Sequence, residues 1–335
     1  MAEPSTLALV GGDSLLGREI RDIAAGAGLP LRLIAEEEEE MGRLTRVGDE
    51  PAIVGGLRAE SLAGARAILL AGSPESSRRV LEMAKEESAI PIVDLTYAAE
   101  DLPGARLRAP MIEPEDAEPG ADAVIHVIAH PAAIALALFL RRVHRNDPIR
   151  RAVVQIFAPA SERGAPGLEE LQQQTIALLS FKGLPQKVFD TQLSFNLLAR
   201  YGAEAPVPLE ESEQRIERHL ATLLALDGDG EGVPMPSLRL IQAPVFHGYS
   251  ISAWVEFENE PDLEALESGL ATEPIEVRGG EFEPPTNVGH AGQGGIAVGA
   301  IAPDRNAPDA CWFWLVADNV RLPAENAVMV AKELL

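Results

Sequence analysis

Short apolar runs alternate with helical spacings along the first 130 residues. The predicted strands are Thr6–Val10, Leu31–Ala35, Ala65–Ala71, Pro91–Leu95 and Ala121–Ala129, and the predicted helices are Leu15–Ala25 and about Ser76–Glu87. Largely apolar strands separated by helices are typical of a parallel sheet that is buried on both faces. The pattern therefore predicts an α/β domain of nucleotide-binding type.

The pattern changes near residue 149. Tyr249–Glu258 alternates between apolar and polar positions, which is typical of a sheet with one face in water. Further strands are predicted at Arg151–Pro159, Ser237–Val245, Gly295–Ile301 and Ala310–Val316, with helices at Gly167–Phe181 and Leu209–Leu226. This half is predicted to be an α+β domain with a mainly antiparallel sheet.

These patterns divide the chain into two domains, the number expected for 335 residues. The first comprises residues 1–129 and is completed by a C-terminal helix at 320–335, which carries Val328, Val330 and Leu334 on its apolar positions. The second comprises residues 130–319.

Charge narrows the range of partners. The chain carries 52 acidic and 28 basic side chains, which gives a formal net charge of −24. Nucleic acids and anionic membrane surfaces are bound through excess Lys and Arg, so neither is expected as a partner. The acidic run Glu36–Glu40 is predicted to be a solvated loop.

The chain has a single cysteine, Cys311, which lies in a predicted core strand, so no disulfide can form within the chain. The first residues do not have the pattern of a signal peptide. The most apolar stretch, Ala121–Val143, is interrupted by His126, His130 and Pro131 and is predicted to be a buried strand and helix. A cytoplasmic protein is expected.

A glycine-containing turn follows the first predicted strand. Gly11 and Gly17 flank it, and it opens the first helix, where a Rossmann domain places its phosphate loop. Ser14 stands where a middle glycine is usual, so a turn without a ligand is an equal alternative. Glu36 and Glu37 end the second strand and favour NAD over NADP if a dinucleotide binds, although a solvated loop explains them equally well.

Four blocks in order resemble the aspartate-semialdehyde dehydrogenase family: LALVGGDSLLGREI, LEELQQQTIALL, LIQAPVFHGYSISAWVEFE and WLVADNVRLPAENAVMVAKELL. The resemblance implies a Rossmann-type domain followed by a domain through which two copies dimerise, with Trp254 or Phe257 at or near the contact. It also implies thioester chemistry, in which a cysteine thiolate attacks an aldehyde, a histidine moves the proton, NADP takes the hydride and phosphate releases the acyl group. The cofactor-binding positions that it implies are Gly11, Asp13, Ser14, Leu15, Leu16, Gly17, Ala71, Gly72 and Asn319.

The chain departs from the family at each position that carries this chemistry. The resemblance places the nucleophile motif at His130–Ala135, where Ala132 and Ala133 stand in the cysteine's neighbourhood. The further family positions fall on Ala158 for a glutamine, Gln242 and Glu100 for arginines, Tyr249 for the histidine base and Glu213 for a lysine. The sequence therefore predicts no catalytic residue of the family type, and the chain resembles the family's branch that lacks the catalytic cysteine.

Other polar residues carry weaker alternatives. His126 and His130 with Asp122 form an imaginable metal set, but buried or capping histidines are expected instead, and no metal is predicted. His290 is a candidate new base, and His247 lies two residues from the family's histidine position.

Three functions follow. The leading hypothesis is a catalytically incompetent homologue that acts as a dimeric scaffold or as the regulatory partner of another protein. The alternatives are an oxidoreductase of this superfamily with altered substrate or mechanism, and a non-catalytic NAD(P)-binding protein.

Overall fold

The computed structural model describes residues 6–37, 40–84, 90–114, 124–226, 232–280 and 282–335. The chain folds into two compact units, one of residues 1–129 with 323–335 and the other of residues 130–322.

The first unit is built on a parallel sheet of six strands in the order β2-β1-β5-β6-β8-β7. Its strands are β1 (Leu7–Val10), β2 (Leu31–Ile34), β5 (Ala67–Leu70), β6 (Ile92–Asp94), β7 (Ala105–Arg108) and β8 (Ile125–Ile128), and the hairpin β3 (Leu44–Val47) and β4 (Glu50–Ile53) stands apart. The helices are α1 (Leu15–Gly26), α2 (Ala59–Leu62) and α3 (Pro74–Ala84). Every residue of β1 and β5 is buried, as is expected for a parallel sheet that is covered on both faces.

The predicted parallel sheet is confirmed, but the hydrophobic pattern does not predict three strands of this unit, β3, β4 and β7. The strand β7 has no continuous apolar run, because Arg106 and Arg108 interrupt it. Arg108 is nevertheless buried, since its guanidinium pairs with Glu113 and with Glu333 of the C-terminal helix α9 (Arg321–Glu333). The hydrophobic pattern also does not predict the β3–β4 hairpin, because its apolar residues, such as Leu44 and Ile53, are exposed.

The second unit is built on a six-stranded mixed sheet in the order β10-β9-β11-β14-β13-β12. Its strands are β9 (Ile149–Ala158), β10 (Ser237–Gln242), β11 (Tyr249–Phe257), β12 (Ile275–Arg278), β13 (Ile296–Pro303) and β14 (Ala310–Ala317). The helices are α4 (Pro131–Asn146), α5 (Gly164–Leu179), α6 (Leu209–Leu224), α7 (Leu263–Leu270) and α8 (Asn287–His290), and a 3-10 turn spans Ala160–Arg163. The central pairs are antiparallel and only the two edge pairs are parallel, so the prediction for this sheet is confirmed as well.

One face of the second sheet packs on α4, which is buried around most of its circumference. Phe139 of α4 meets Phe313 of β14 edge to face at 5.0 Å. The opposite face carries Val153, Trp254 and Trp312, which are paired in register and keep part of their surface exposed. Phe257, which the sequence places near a contact between copies, is instead 1% exposed because β11 turns it into the core.

Among the residues that the structure describes, none of the helices has the length and apolar character needed to cross a membrane. The cytoplasmic location stays a prediction.

Candidate functional site

The turn after β1 brings several of the predicted cofactor-binding residues together. Gly11 has a φ of +79°, and a Cβ added to it would lie 2.3 Å from the Cα of Gly72. A Cβ on Gly17 would lie 2.0 Å from the carbonyl oxygen of Gly11. Only glycine permits this close approach of β1, α1 and the loop after β5, which is the backbone arrangement of a phosphate loop.

The polar side chains of this turn are engaged within the protein. Ser14 caps α1 by accepting from Gly17 N at 2.9 Å, and its hydroxyl donates to Ala71 O at 2.6 Å. The carboxylate of Asp13 pairs with Arg21 at 3.0 Å and also with Arg43. Leu15 and Leu16 form the first turn of α1 and are half-buried. Ser14 therefore serves as a helix cap.

The prediction of a solvated loop is wrong for Glu36, whose side chain is bound within the protein. Its carboxylate accepts from Ser73 N at 2.5 Å and from Ser76 Oγ at 3.1 Å, at the N-terminus of α3. A Cβ at Gly72 would lie 2.4 Å from the same carboxylate, so that glycine leaves room for it. Glu37 is exposed, as expected, whereas Glu38 and Glu39 lie outside the described residues.

These residues meet only part of what the implied dinucleotide requires. The backbones of Gly11 and Gly72 pack directly against each other, as the glycine turn of a Rossmann domain requires. The N-terminus of α3, however, already holds the carboxylate of Glu36, and that charge repels a second anion. The arrangement fits an uncharged ribose better than one bearing a 2′-phosphate, so NAD stays the dinucleotide that we predict.

A buried polar cluster lies in the second unit, around the start of α4. The carboxylate of Glu162, in the 3-10 turn, accepts at Oε2 from the hydroxyl of Tyr249 and lies 3.0 Å at Oε1 from His130 Nε2. His130 caps α4 through Nδ1, and its ring and that of Tyr249 are 6.0 Å apart. His130 is 1% exposed and Tyr249 is 0% exposed, so Glu162 joins two side chains from which water is excluded.

Burial alone would raise the pKa of Glu162. The charge and hydrogen bond of His130, the charge of Arg163 and the hydroxyl of Tyr249 outweigh burial and hold that pKa below its usual range. Glu162 is therefore ionised at neutral pH, and the ion is held by its neighbours rather than by water.

A second set of contacts extends this cluster. The guanidinium of Arg163 lies 5.3 Å from the ring centre of Tyr201, and its Nη2 donates to Ser212 Oγ at 3.2 Å. The hydroxyl of Tyr201 donates to Gln242 Oε1 at 2.5 Å. The amide nitrogen of Gln242 donates to two backbone carbonyls, which leaves this buried side chain bound entirely within the protein.

Asn319, predicted to bind a cofactor, lies in this unit. Its Oδ1 accepts from Gly248 N at 2.9 Å and from Ser161 Oγ at 3.1 Å. His219 Nδ1, from α6, accepts from His130 N at 2.9 Å. Both side chains hold loop backbone in place around the cluster.

The nucleophile position is apolar. Ala132 and Ala133, at the start of α4, are both 0% exposed. Cys311 is fully buried on β14, where burial together with Asp147 and Asp304 raises the pKa of its thiol to about 11. A thiol with that pKa is protonated at neutral pH and is a poor nucleophile.

The two remaining histidine candidates, His247 and His290, line one small pocket together with Gly248, Asn287 and Asp318. His290 is 2% exposed, and burial lowers its pKa, so it is neutral at pH 7. His247 is exposed before β11. Within the described ranges no group of three or more His, Cys, Asp or Glu side chains is arranged to hold a metal ion; Asp122 lies outside those ranges.

The sequence patterns do not predict four residues of this buried cluster, Glu162, Arg163, Tyr201 and His219. The available signal is the pair Glu162-Arg163 directly after a long strand, since side chains at strand ends are often functional. Its partners His130 and Tyr249 lie 32 and 87 residues away from Glu162, and no local spacing relates them to it.

The family model described as semialdehyde dehydrogenase, dimerisation domain, matches residues 140–322. The chain is 29% identical over 343 residues to the USG-1 protein homolog of Pseudomonas aeruginosa, covering 100% of this chain and 99% of the relative. It is 27% identical over 339 residues to the aspartate-semialdehyde dehydrogenase of Aquifex aeolicus, covering 98% and 97%. A solved structure described as a probable aspartate-semialdehyde dehydrogenase from Pseudomonas aeruginosa superposes with a TM-score of 0.81 at 29% identity, covering 99% of this chain and 98% of that chain.

The lowered pKa of Glu162 predicts a pH-dependent stability. A group whose pKa is lower in the folded state stabilises the fold above its unfolded pKa of about 4.5, and that contribution is lost as pH falls through the folded value. We expect Glu162→Gln to lower the free energy of unfolding by about 1–3 kcal/mol at pH 7, and the difference from wild type to shrink below pH 4.5.

Urea unfolding at a series of pH values, followed by circular dichroism, measures this difference. The control is Glu211→Gln, whose exposed carboxylate pairs with Arg215 and should contribute less than about 1 kcal/mol. A difference in the free energy of unfolding between wild type and Glu162→Gln that stays constant from pH 7 to pH 3 would contradict the lowered pKa of Glu162 in the folded state.

Proposed function

Because this chain belongs to the semialdehyde dehydrogenase family, we propose that it is a dimeric family member that lacks the family's thioester chemistry and acts as a scaffold or regulatory partner. The observation that carries the proposal is the place where a nucleophile would stand. The start of α4 offers only the buried methyl groups of Ala132 and Ala133.

The neighbouring contacts support the same conclusion. A catalytic base must be free to accept a proton near neutral pH. A tyrosine hydroxyl ordinarily titrates near pH 10. The hydroxyl of Tyr249, which stands at the family's base position, donates a hydrogen bond to Glu162. Gln242 offers a neutral amide where an arginine would pair with a carboxylate through two charge-assisted hydrogen bonds.

The proposal predicts no phosphate-dependent oxidation of aspartate semialdehyde above background. Ala133→Cys should not restore it, because the base and the cationic anchor are also replaced. The measurement is NADPH formation, followed by its absorbance, with wild type and with Ala133→Cys, and the Aquifex aeolicus enzyme is the active control. Robust turnover by the wild type would overturn the proposal.

An oxidoreductase with altered substrate or mechanism is the second candidate. The favouring observation is that His130 and Tyr249 share one ionised carboxylate, an arrangement in which a proton can be held and moved. Its test is an aldehyde panel with NAD and NADP, followed by Tyr249→Phe. Turnover by wild type that Tyr249→Phe abolishes would favour an enzyme. If neither protein turns over any aldehyde, the scaffold or regulatory role remains the proposal.

A non-catalytic NAD-binding protein is favoured by the glycine turn of the first unit. A ligand that binds only the folded state raises the unfolding temperature. For this candidate we expect NAD to raise the unfolding temperature more than NADP does at equal concentration, because Glu36 repels a 2′-phosphate. A larger shift with NADP would contradict the role given to Glu36, and no shift with either would remove the candidate.

Dimerisation is proposed to use the exposed face of the second sheet, on which Val153, Trp254 and Trp312 lie together. Light scattering should give twice the monomer mass for wild type. Val153→Glu should give the monomer, because like charges would meet across a symmetric contact. Leu44→Glu, an equally polar change on the exposed β3–β4 hairpin, is the matched control and should stay dimeric. A dimer that survives Val153→Glu would place the interface elsewhere.

A further inference from the structure

The carboxylate of Glu162 contacts two side chains that can donate hydrogen bonds to it, and the positive charge of Arg163 also favours its ionised form. His130 Nε2 and the Tyr249 hydroxyl are directed at its two oxygens, and the cationic side chain of Arg163 follows it in the same turn. The Nε–H of Arg163 is buried and has no hydrogen-bond partner among the described residues. These are the donors that a protein uses to bind a carboxylate from outside.

The carboxylate that fills this place belongs to the chain. It is carried on the short turn between β9 and α5, and its side chain is 11% exposed. A buried charge of this kind persists only where its neighbours compensate it, so the surrounding donors and the turn depend on each other.

We propose that the second unit contains a binding site for a small carboxylate and that Glu162 is its resident ligand. The inference rests on the proposed function and deepens it, since it explains why an external carboxylate is excluded as well as why no reaction follows. In wild type the site is closed by its own side chain. Removing that side chain opens a site for a carboxylate of one or two carbon atoms.

The test is rescue by formate. Glu162→Ala removes the carboxylate and leaves a cavity beside His130 and Tyr249. We expect the variant to unfold at a lower temperature than wild type. Sodium formate at about ten times its dissociation constant should raise that temperature by about 2–4 °C above the value in sodium chloride of equal ionic strength. Formate should shift neither wild type nor Glu211→Ala, in which an exposed carboxylate is removed.

A double variant separates specific binding from a general salt effect. Glu162→Ala with Tyr249→Phe lacks one of the donors, so about tenfold more formate should be needed for the same shift. Glu162→Ser, with a smaller cavity, serves as the second variant and should respond in the same direction. Where a variant does not fold in chloride, the folded yield after refolding in formate and in chloride replaces the melting temperature.

Formate-dependent stability or yield that is confined to the Glu162 variants supports the proposal. The proposal is overturned if formate and chloride change the stability of the Glu162 variants equally, or if formate stabilises wild type or Glu211→Ala as much as it stabilises Glu162→Ala. The readout is stability, so its failure leaves the absence of turnover untouched, and turnover by wild type leaves the rescue result standing.

Discussion

The ionised carboxylate of Glu162 is the constraint on which the second unit depends. It joins the start of α4 through His130, β11 through Tyr249 and the turn that leads into α5, and both His130 and Tyr249 are buried. A charge in such surroundings costs several kcal/mol unless donors compensate it. His130 and Tyr249 are therefore both held by contacts with one ionised side chain.

The same use of acidic side chains recurs elsewhere in the chain. Glu36 accepts from the backbone at the start of α3, and Glu213 accepts from Leu240 N at 2.6 Å and pairs with Arg239. Asp318 caps α9 by accepting from the backbone of residues 320 and 321. A site that binds an anionic substrate needs cations and free N–H groups. Here carboxylates of the protein occupy N–H groups in both units.

Hydrophobic patterning is sufficient to predict both sheets, because continuous and alternating apolar runs distinguish a sheet covered on two faces from a sheet covered on one. It does not predict β7, since Arg106 and Arg108 make that strand polar, and burial of Arg108 depends on Glu333, 225 residues away. The family resemblance also predicts which site residues are replaced, because it places Ala132 and Ala133 in the neighbourhood of the family's cysteine. The cluster around Glu162 could not be predicted, since its members meet only after β9, β11 and α4 have packed.

If the chain lacks thioester chemistry, as we propose, no covalent intermediate can be trapped on it. Wild type would be incubated with aspartate semialdehyde and NADP in the absence of phosphate, and its intact mass and peptide map would be recorded beside a sample without dinucleotide. We expect the same masses in both samples. An added acyl group that appears only with the dinucleotide, on any residue of the second unit, would contradict it.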